Sequence, residues 1–524
     1  MKKIIFFLLI IFSQQLYSQP AIQWQRCYGG SYDEFINSIY KTQDGGYILA
    51  GSTGSPNDGD VSGNHVTVGN WFDFWIVKID FNGNIQWQKC LGGTMDEEAW
   101  PIVQTSDGGY VVSGWFGSLD GDINCFPFVN RDYWVVKIDG SGSVVWKRCY
   151  GGGVGGIATS MQTTTDQGFI ITGHTASNDG QVTGNHGSED FWVIKLDSTG
   201  NLQWQKALGG SGIERSWCIQ QTPDGGYITV GQTASNDGDV TGHHSGYWDG
   251  WVVKLDAAGS MQWQKCLGGS GGTGFTSVQN TVDGGYIVAG STSANDGDVS
   301  GNHSTLSDYW IVKLSAAGTV QWQKCLGGSS QEYAFAIRQT QDDGYIITGN
   351  AASIDGDVNG LNGDTDGWVV KLDSTGNIQW QKCLGGSGNE MAHNSSVEQG
   401  ADNGFIITGD VDSNDGDVSG NHGALDFWVV KLAHDIGLEE QDIVSIANIF
   451  PNPVTDEFRI NNSELIIERV EVCDVFGKSI FKQGLKVIDQ QEITINVSAF
   501  VAGMYFVKLQ TNKGTVAKKF LIAR

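Results

Sequence analysis

A tryptophan followed by Gln or Lys returns at Trp24, Trp87, Trp146, Trp204, Trp263, Trp322 and Trp380, at intervals of 63, 59, 58, 59, 59 and 58 residues. A second series, in runs such as Phe-Trp-Val-Val-Lys-Leu-Asp, returns at Trp75, Trp134, Trp192, Trp251, Trp310, Trp368 and Trp428. Together they take 14 of the 19 tryptophans. A chain built on one recurring unit buries each unit against its neighbours, so the unit decides the architecture.

Each unit reads as four short strands. In the first, Phe35 to Thr42 is strand a, Asp44-Gly45-Gly46 a tight turn, and Tyr47 to Thr53 strand b. A long polar loop follows to about Phe72. Strand c is Asp73 to Asp80, Asn82-Gly83-Asn84 is a turn, and Ile85 to Leu91 is strand d. Strand c is apolar on both faces, as expected of a sheet covered on both sides. Four strands per unit predict a β-propeller. A solenoid would need atypical capping units, and these units stay regular. The repeats open with a lone strand d around Trp24 and end on strands a, b and c around Trp428. The orphan strand therefore completes the last blade and hides its edge, which predicts seven blades.

The rest of the chain divides around this array. Lys2 and Lys3 precede the apolar run Ile4 to Phe12 and the small residue Ser18, the pattern of a signal peptide over residues 1–18. The propeller is expected over 19–435, a linker over 436–446 and a separate module over 447–524. From Glu440 onward the tail carries 10 acidic and 10 basic residues, so the acidity belongs to the propeller, where the formal charge of -27 becomes -29 once Lys2 and Lys3 of the leader are left out. That charge argues against nucleic acid as a partner. No later apolar run is long enough for a transmembrane helix. Apolar segments at Arg469 to Phe476 and Gly503 to Gln510 predict a small β-sandwich, making the whole chain all-β.

Four blocks of the tail occur in order: Phe450-Pro451-Asn452-Pro453, Val475-Phe476-Gly477-Lys478, Gly503-Met504-Tyr505-Phe506-Val507 and Lys518-Lys519-Phe520-Leu521. This set resembles the C-terminal sorting domain of the type IX secretion system. The resemblance implies a bacterium of the Bacteroidota kind and passage across the outer membrane by that machinery. It also implies tail removal, with release or attachment to surface lipopolysaccharide. The repeat unit resembles the DGGY-type repeats of secreted bacterial propellers, which brings no catalytic residues with it.

Candidate site residues recur with the units. The b–c loops carry Asp58 and Asp60, Asp120 and Asp122, Asp237 and Asp239, Asp296 and Asp298, Asp355 and Asp357, and Asp415 and Asp417; the third copy has Asp179 and Gln181. Such alternating carboxylates offer hard oxygens to calcium, or else form turns in which Asp binds its own backbone. Histidine follows in five loops, at His65, His186, His243, His303 and His422, as a loop hydrogen bond or a ligand contact. Glu34, Glu97, Glu214, Glu332 and Glu390 precede strand a. There they are expected near the mouth of the channel, on an acidic face offering acceptors to cations or sugar hydroxyls. The strand-c Asp and Lys, as Asp73 and Lys78, read as structural.

Six cysteines, Cys27, Cys90, Cys149, Cys266, Cys325 and Cys383, share one repeat position and are expected to be small apolar side chains. Nothing pairs Cys125, Cys218 or Cys473. Matches to G-x-S-x-G at 268–272 and G-x-G-x-x-G at 151–156 fall in the d–a turn, without the helix their chemistry needs.

Near-identical loops on seven blades suggest a surface binding or adhesion protein for a glycan or protein, acting by avidity. Aromatics that break the pattern, Trp71, Trp115, Phe126, Phe128 and Trp248, are candidates to stack on sugars. The alternatives are a polysaccharide hydrolase or lyase, which needs one asymmetric acid/base pair, and a structural surface-layer component.

Overall fold

The structure, a computed structural model, describes residues 19–65, 71–125, 131–244, 247–391, 395–400, 402–434, 447–462, 467–473, 479–484, 492–511 and 514–523. The expected leader, the linker, Phe126, Phe128 and the block Val475–Lys478 lie outside them. The chain separates into two units, Gln19–Asp435 and Ile436–Arg524.

The first unit is seven four-stranded antiparallel sheets. In blade 1 the strands are Glu34–Lys41 (a), Tyr47–Thr53 (b), Asp73–Ile79 (c) and Ile85–Leu91 (d). Blades 2 to 6 repeat this order over 97–150, 156–208, 214–267, 273–326 and 332–384. The seventh sheet takes Ser396–Gln399, Phe405–Val411 and Asp426–Leu432, with Ile22–Tyr28 as its outer strand. In that pairing Cys27 faces Trp428 and Tyr28 faces Phe427. The two ends of the array are thus joined by a strand ladder, as the phase of the repeat predicts. Each strand a packs against the strand a of the next blade, and the seventh against the first.

The strand-c tryptophans form the core of every blade and are essentially excluded from solvent. Their indole N–H groups need an acceptor, and in six blades the strand-d glutamine supplies it: Trp75 Nε1 donates to Gln88 Oε1 at 2.8 Å, Trp251 to Gln264 at 2.8 Å and Trp428 to Gln25 at 2.8 Å. The aromatic before each tryptophan leans on the tryptophan of the next blade. Phe74 meets Trp134, Tyr133 meets Trp192, Phe191 meets Trp251, and Phe427 meets Trp75 across the closure. Blades 4 and 6 have glycine there. A Cβ on Gly250 would lie 2.5 Å from the Phe275 ring, and one on Gly367 2.4 Å from Met391 Sδ. The next blade's inner segment has filled the missing volume, as close packing requires.

The outer tryptophans serve the same interfaces from the rim. A Cβ on Gly83, in the c–d turn, would come within 2.9 Å of the Trp24 ring, so only glycine lets the indole lie flat on that turn. The strand-c lysines reach the Asp of the a–b turn: Lys78 to Asp44 at 2.9 Å, Lys254 to Asp224 at 2.9 Å and Lys371 to Asp342 at 2.7 Å. Each buried ammonium also donates to the carbonyl of the next residue, for example Lys78 to Ile79. This matches the structural reading of the strand-c lysines.

The second unit has a three-stranded sheet (Ala447–Phe450, Glu457–Asn462, Glu492–Asn496) and a four-stranded one (Ser479–Gly484, Ile467–Cys473, Gly503–Thr511, Gly514–Ile522). They enclose a common core that includes Phe458, Ile460, Val472, Val507 and Phe520. Asn452, between the two prolines of the first sorting block, accepts from Leu521 N at 2.9 Å and so ties that block to the last strand.

Candidate functional site

The residues that recur in the loops converge on the seams between blades. The first Asp of each b–c loop accepts from the d–a loop that enters its blade: Asp58 from Ser31 N (3.0 Å) and Ser31 Oγ (2.6 Å), and Asp120, Asp237, Asp296, Asp355 and Asp415 from the equivalent backbone amides. The second Asp accepts weakly from the first glycine of that loop in Asp122, Asp239, Asp298 and Asp357, at 3.3 to 3.4 Å. Gln181 does the same work at 3.2 Å, which explains why an amide is accepted there. Asp60 and Asp417 bind the loop through their own backbone amides. These oxygens accept from loop N–H and O–H groups, as the turn reading of the loops expects. Among the described residues, no group of three or more His, Cys, Asp or Glu side chains is placed to hold a metal ion.

The five glutamates are not at an exposed mouth. Glu34, Glu97, Glu214, Glu332 and Glu390 are all fully buried. Each accepts from the second glycine of its d–a loop, as Glu34 from Gly30 N at 2.8 Å, and from strand b or the residues just after it, as Glu34 from Thr53 Oγ1 at 2.7 Å. They lie beside the strand-c Asp of the preceding blade. A Cβ on Gly92 would be 2.3 Å from Asp73 Oδ1 and 2.7 Å from Glu97 Oε2, so the glycine exists to let two carboxyls close over the seam. Burial pushes Glu34, Glu97 and Glu390 up to about 7, against the hydrogen bonds they accept. Burial likewise raises Asp73, Asp190, Asp308 and Asp426.

Histidine is the outer half of the same latch. His65 Nδ1 meets Asp73 at 2.7 Å, His186 meets Asp190 at 2.8 Å, His303 meets Asp308 at 2.6 Å and His422 meets Asp426 at 2.7 Å. The far ring nitrogen points to the second Asp of the next blade: His65 to Asp122 at 3.6 Å, His303 to Asp357 at 3.7 Å and His422 across the closure to Asp60 at 4.0 Å. In blade 4 this place belongs to His244, which meets Asp249 at 2.8 Å and Asp298 at 3.4 Å. The expected His243 is displaced by one residue, and its Nε2 lies 2.8 Å from the Tyr247 carbonyl. An adjacent His-His pair offers two equal readings in sequence, and only the loop path chooses between them.

The cysteine expectation needs correcting once. Cys125, in the b–c loop of blade 2, is disulfide-bonded to Cys149, with Cα atoms 5.6 Å apart. Equivalent positions on different blades are too far apart to pair, but a b–c loop returns over the outer strand of its own blade. Cys27, Cys90, Cys266, Cys325 and Cys383 are free and buried, as small apolar side chains would be. Of the pattern-breaking aromatics, Trp71 is exposed, Trp248 is half-buried, and Trp115 is buried under the Arg131 guanidinium, 4.9 Å from its ring centre.

The channel is where the units stop agreeing. The fourth residue of strand a is Asn37, Trp100, Thr159, Trp217, Thr276 and Phe335 in blades 1 to 6. Trp100 and Trp217 approach to 6.0 Å between ring centres, and the His174 ring meets Trp217 edge-on at 6.2 Å. Burial holds His174 down at about 4, so it is neutral at neutral pH. Beside it Arg215 pairs with Glu189 at 2.6 Å. From this level toward the a–b turns, the inner strands line a cavity of about 410 Å³. Its wall includes Gln162, Gln220 and Gln279 on consecutive blades. Each Oε1 accepts from a backbone amide of the next blade: Gln162 from Gln221, Gln220 from Asn280 at 3.0 Å, and Gln279 from Gln339. Arg338 and Glu398 pair across another seam at 3.3 Å. Trp217 and Arg215 are visible in the sequence as departures; Trp100, Phe335 and the glutamines emerge only when the strand-a copies are compared column by column.

Fold and tail together define an exported β-propeller protein: a closed seven-bladed ring and a separate sorting module. Residues 448–523 match the family described as the secretion system C-terminal sorting domain, and the tail is such a domain. No curated protein matches the chain. Among solved structures, a fungal alcohol oxidase of the AA5 family in complex with copper is 13% identical, covering 96% of this chain and 100% of that one, with a TM-score of 0.40. The Pan2 WD40 domain of Neurospora crassa is 10% identical over 76% and 88%, with a TM-score of 0.40. Sqt1 of Chaetomium thermophilum is 10% identical over 79% and 99%, also at 0.40.

Proposed function

We infer that this is a cell-surface or secreted binding protein, without catalytic activity, whose ligand site is the channel cavity. The observation that carries this reading is the contrast within each unit. Strand c and the loops hold their residues from blade to blade because those residues latch neighbours together. The channel-facing column changes from blade to blade and carries large aromatics. Concave, partly aromatic cavities with a few fixed polar groups are the usual form of small-ligand sites. The carboxylates and histidines that suggested chemistry in the loops are committed to the seams, which favours binding over hydrolysis.

Export follows from the tail: the type IX machinery recognises the sorting domain, and the propeller is its cargo. Leader removal, and the choice between release and surface attachment, belong to the same proposal. The test uses purified mature protein on glycan and protein arrays and on whole cells. Saturable binding that Trp217→Ala weakens supports the reading. Degradation of a polysaccharide, or no binding to any array or cell, overturns it.

A further inference from the structure

Resting on the binding reading above, we propose that the channel cavity accepts an uncharged sugar unit. The argument is one of complementarity on two sides. Trp100, Trp217 and Phe335 supply aromatic surface at one level of the channel, which suits a flat ligand face bearing C–H groups. Gln162, Gln220 and Gln279 supply amide groups whose orientation is already fixed. Each Oε1 accepts from the next blade's backbone, which leaves each Nε2 as a donor for another acceptor. A purely aromatic ligand would cover these donors without meeting them, and an unmet buried donor costs about 1–3 kcal/mol. An anionic ligand would meet no uncompensated cation, because Arg338 is already paired with Glu398, and it would enter a chain of net charge -27. A cationic ligand would face the three amide donors. A pyranose has apolar C–H patches on its faces and hydroxyl acceptors on its edge, and carries no charge.

Two variants separate the site from the fold. Trp217→Ala removes aromatic surface from a half-buried position. Gln220→Glu keeps an oxygen for the Asn280 amides and replaces the free donor with a negatively charged acceptor. Titration calorimetry and tryptophan fluorescence on the mature full chain would use cellobiose, maltose, lactose, mannobiose and chitobiose, with digalacturonate and 2-naphthol as charged and flat apolar comparisons. The expected result is binding of at least one neutral disaccharide with a change in tryptophan emission, weakened about tenfold or more by each variant while each variant stays folded under the assay conditions. Should Trp217→Ala fail to fold, Gln220→Glu decides. Binding of digalacturonate or naphthol alone, neutral-sugar binding indifferent to Gln220→Glu, or no binding by any of these probes overturns the inference. If the arrays and cells nevertheless bind the protein, the binding reading stands and only the ligand class falls. If they too are empty, both fall.

Discussion

Strand c and strand a of one blade lie two strands apart, yet their sequences obey different rules. Strand c repeats Asp, aromatic or Gly, Trp, two aliphatics and Lys in all seven blades, and nearly every residue is buried. Strand a repeats only where it feeds the seams, and its channel-facing positions drift from Asn37 to Trp100 to Thr159. A residue that touches an equivalent partner in the next blade cannot change alone, because its partner, repeated in every blade, would lose its fit. In the channel-facing column the bond to the next blade goes to backbone, as Thr159 to the Ser216 carbonyl and Thr276 to the Ala334 carbonyl, and a backbone partner does not fix the side chain. Repetition inside the chain therefore marks mutual packing, and its loss marks the surface released for a ligand.

The largest test of this contrast compares two tryptophans in one blade. Trp251→Ala should destabilise the propeller by about 3–5 kcal/mol, since it empties a fully buried site. Trp217→Ala should cost well under half of that, because the ring is only partly buried. Denaturant midpoints at constant slope would measure both, and equal losses would break the distinction.

The seams should also respond to pH. Glu34, Glu97 and Glu390 bind protons more tightly folded, at about 7, than in an unfolded chain. The native state then holds extra protons between the ordinary glutamate range and pH 7. The stability they add is complete below that range and is lost as pH rises through about 7. His186 and His303, raised in the fold, act in the same direction, His186 chiefly through its bond to Asp190 and His303 through its bond to Asp308, against burial. Thermal unfolding should occur at a higher temperature at pH 5.5 than at pH 8. The double variant Glu34→Gln and Glu390→Gln should flatten the profile, while Trp217→Ala should leave its shape alone.

The smallest effect concerns blade 2, where Lys147 stands in place of the strand-d glutamine. Trp134 Nε1 is buried with no acceptor, and Lys147 instead donates to the Asp122 carbonyl. Lys147→Gln should restore the bond seen in the other blades and stabilise the protein by about 1 kcal/mol. A neutral or negative change in the unfolding midpoint would show that the glutamine is not what the indole requires.

Much of this was legible in the chain. The strands, the turns and the lone first strand that closes the ring follow from spacing, because a period of about 59 residues built of four short strands can bury its apolar faces only by repeating radially. The loop residues were found, with turn and hydrogen-bond roles among the readings, but their partners on neighbouring blades were not. A recurring Asp, His or Glu looks like chemistry along the chain, since no pattern says that Glu97 will lie beneath Asp73 of the preceding blade or that His65 will reach Asp122 of the next.

Repeat number, ring closure and the sorting tail thus follow from the amino-acid order, because they depend on periodicity and local pattern. Folding in three dimensions decided which polar groups are buried, that His244 rather than His243 joins the latch, that Cys125 finds Cys149, and that three aromatics and three glutamines face one cavity. Each of these depends on distances between blades or along returning loops, and such distances exist only once the ring has closed.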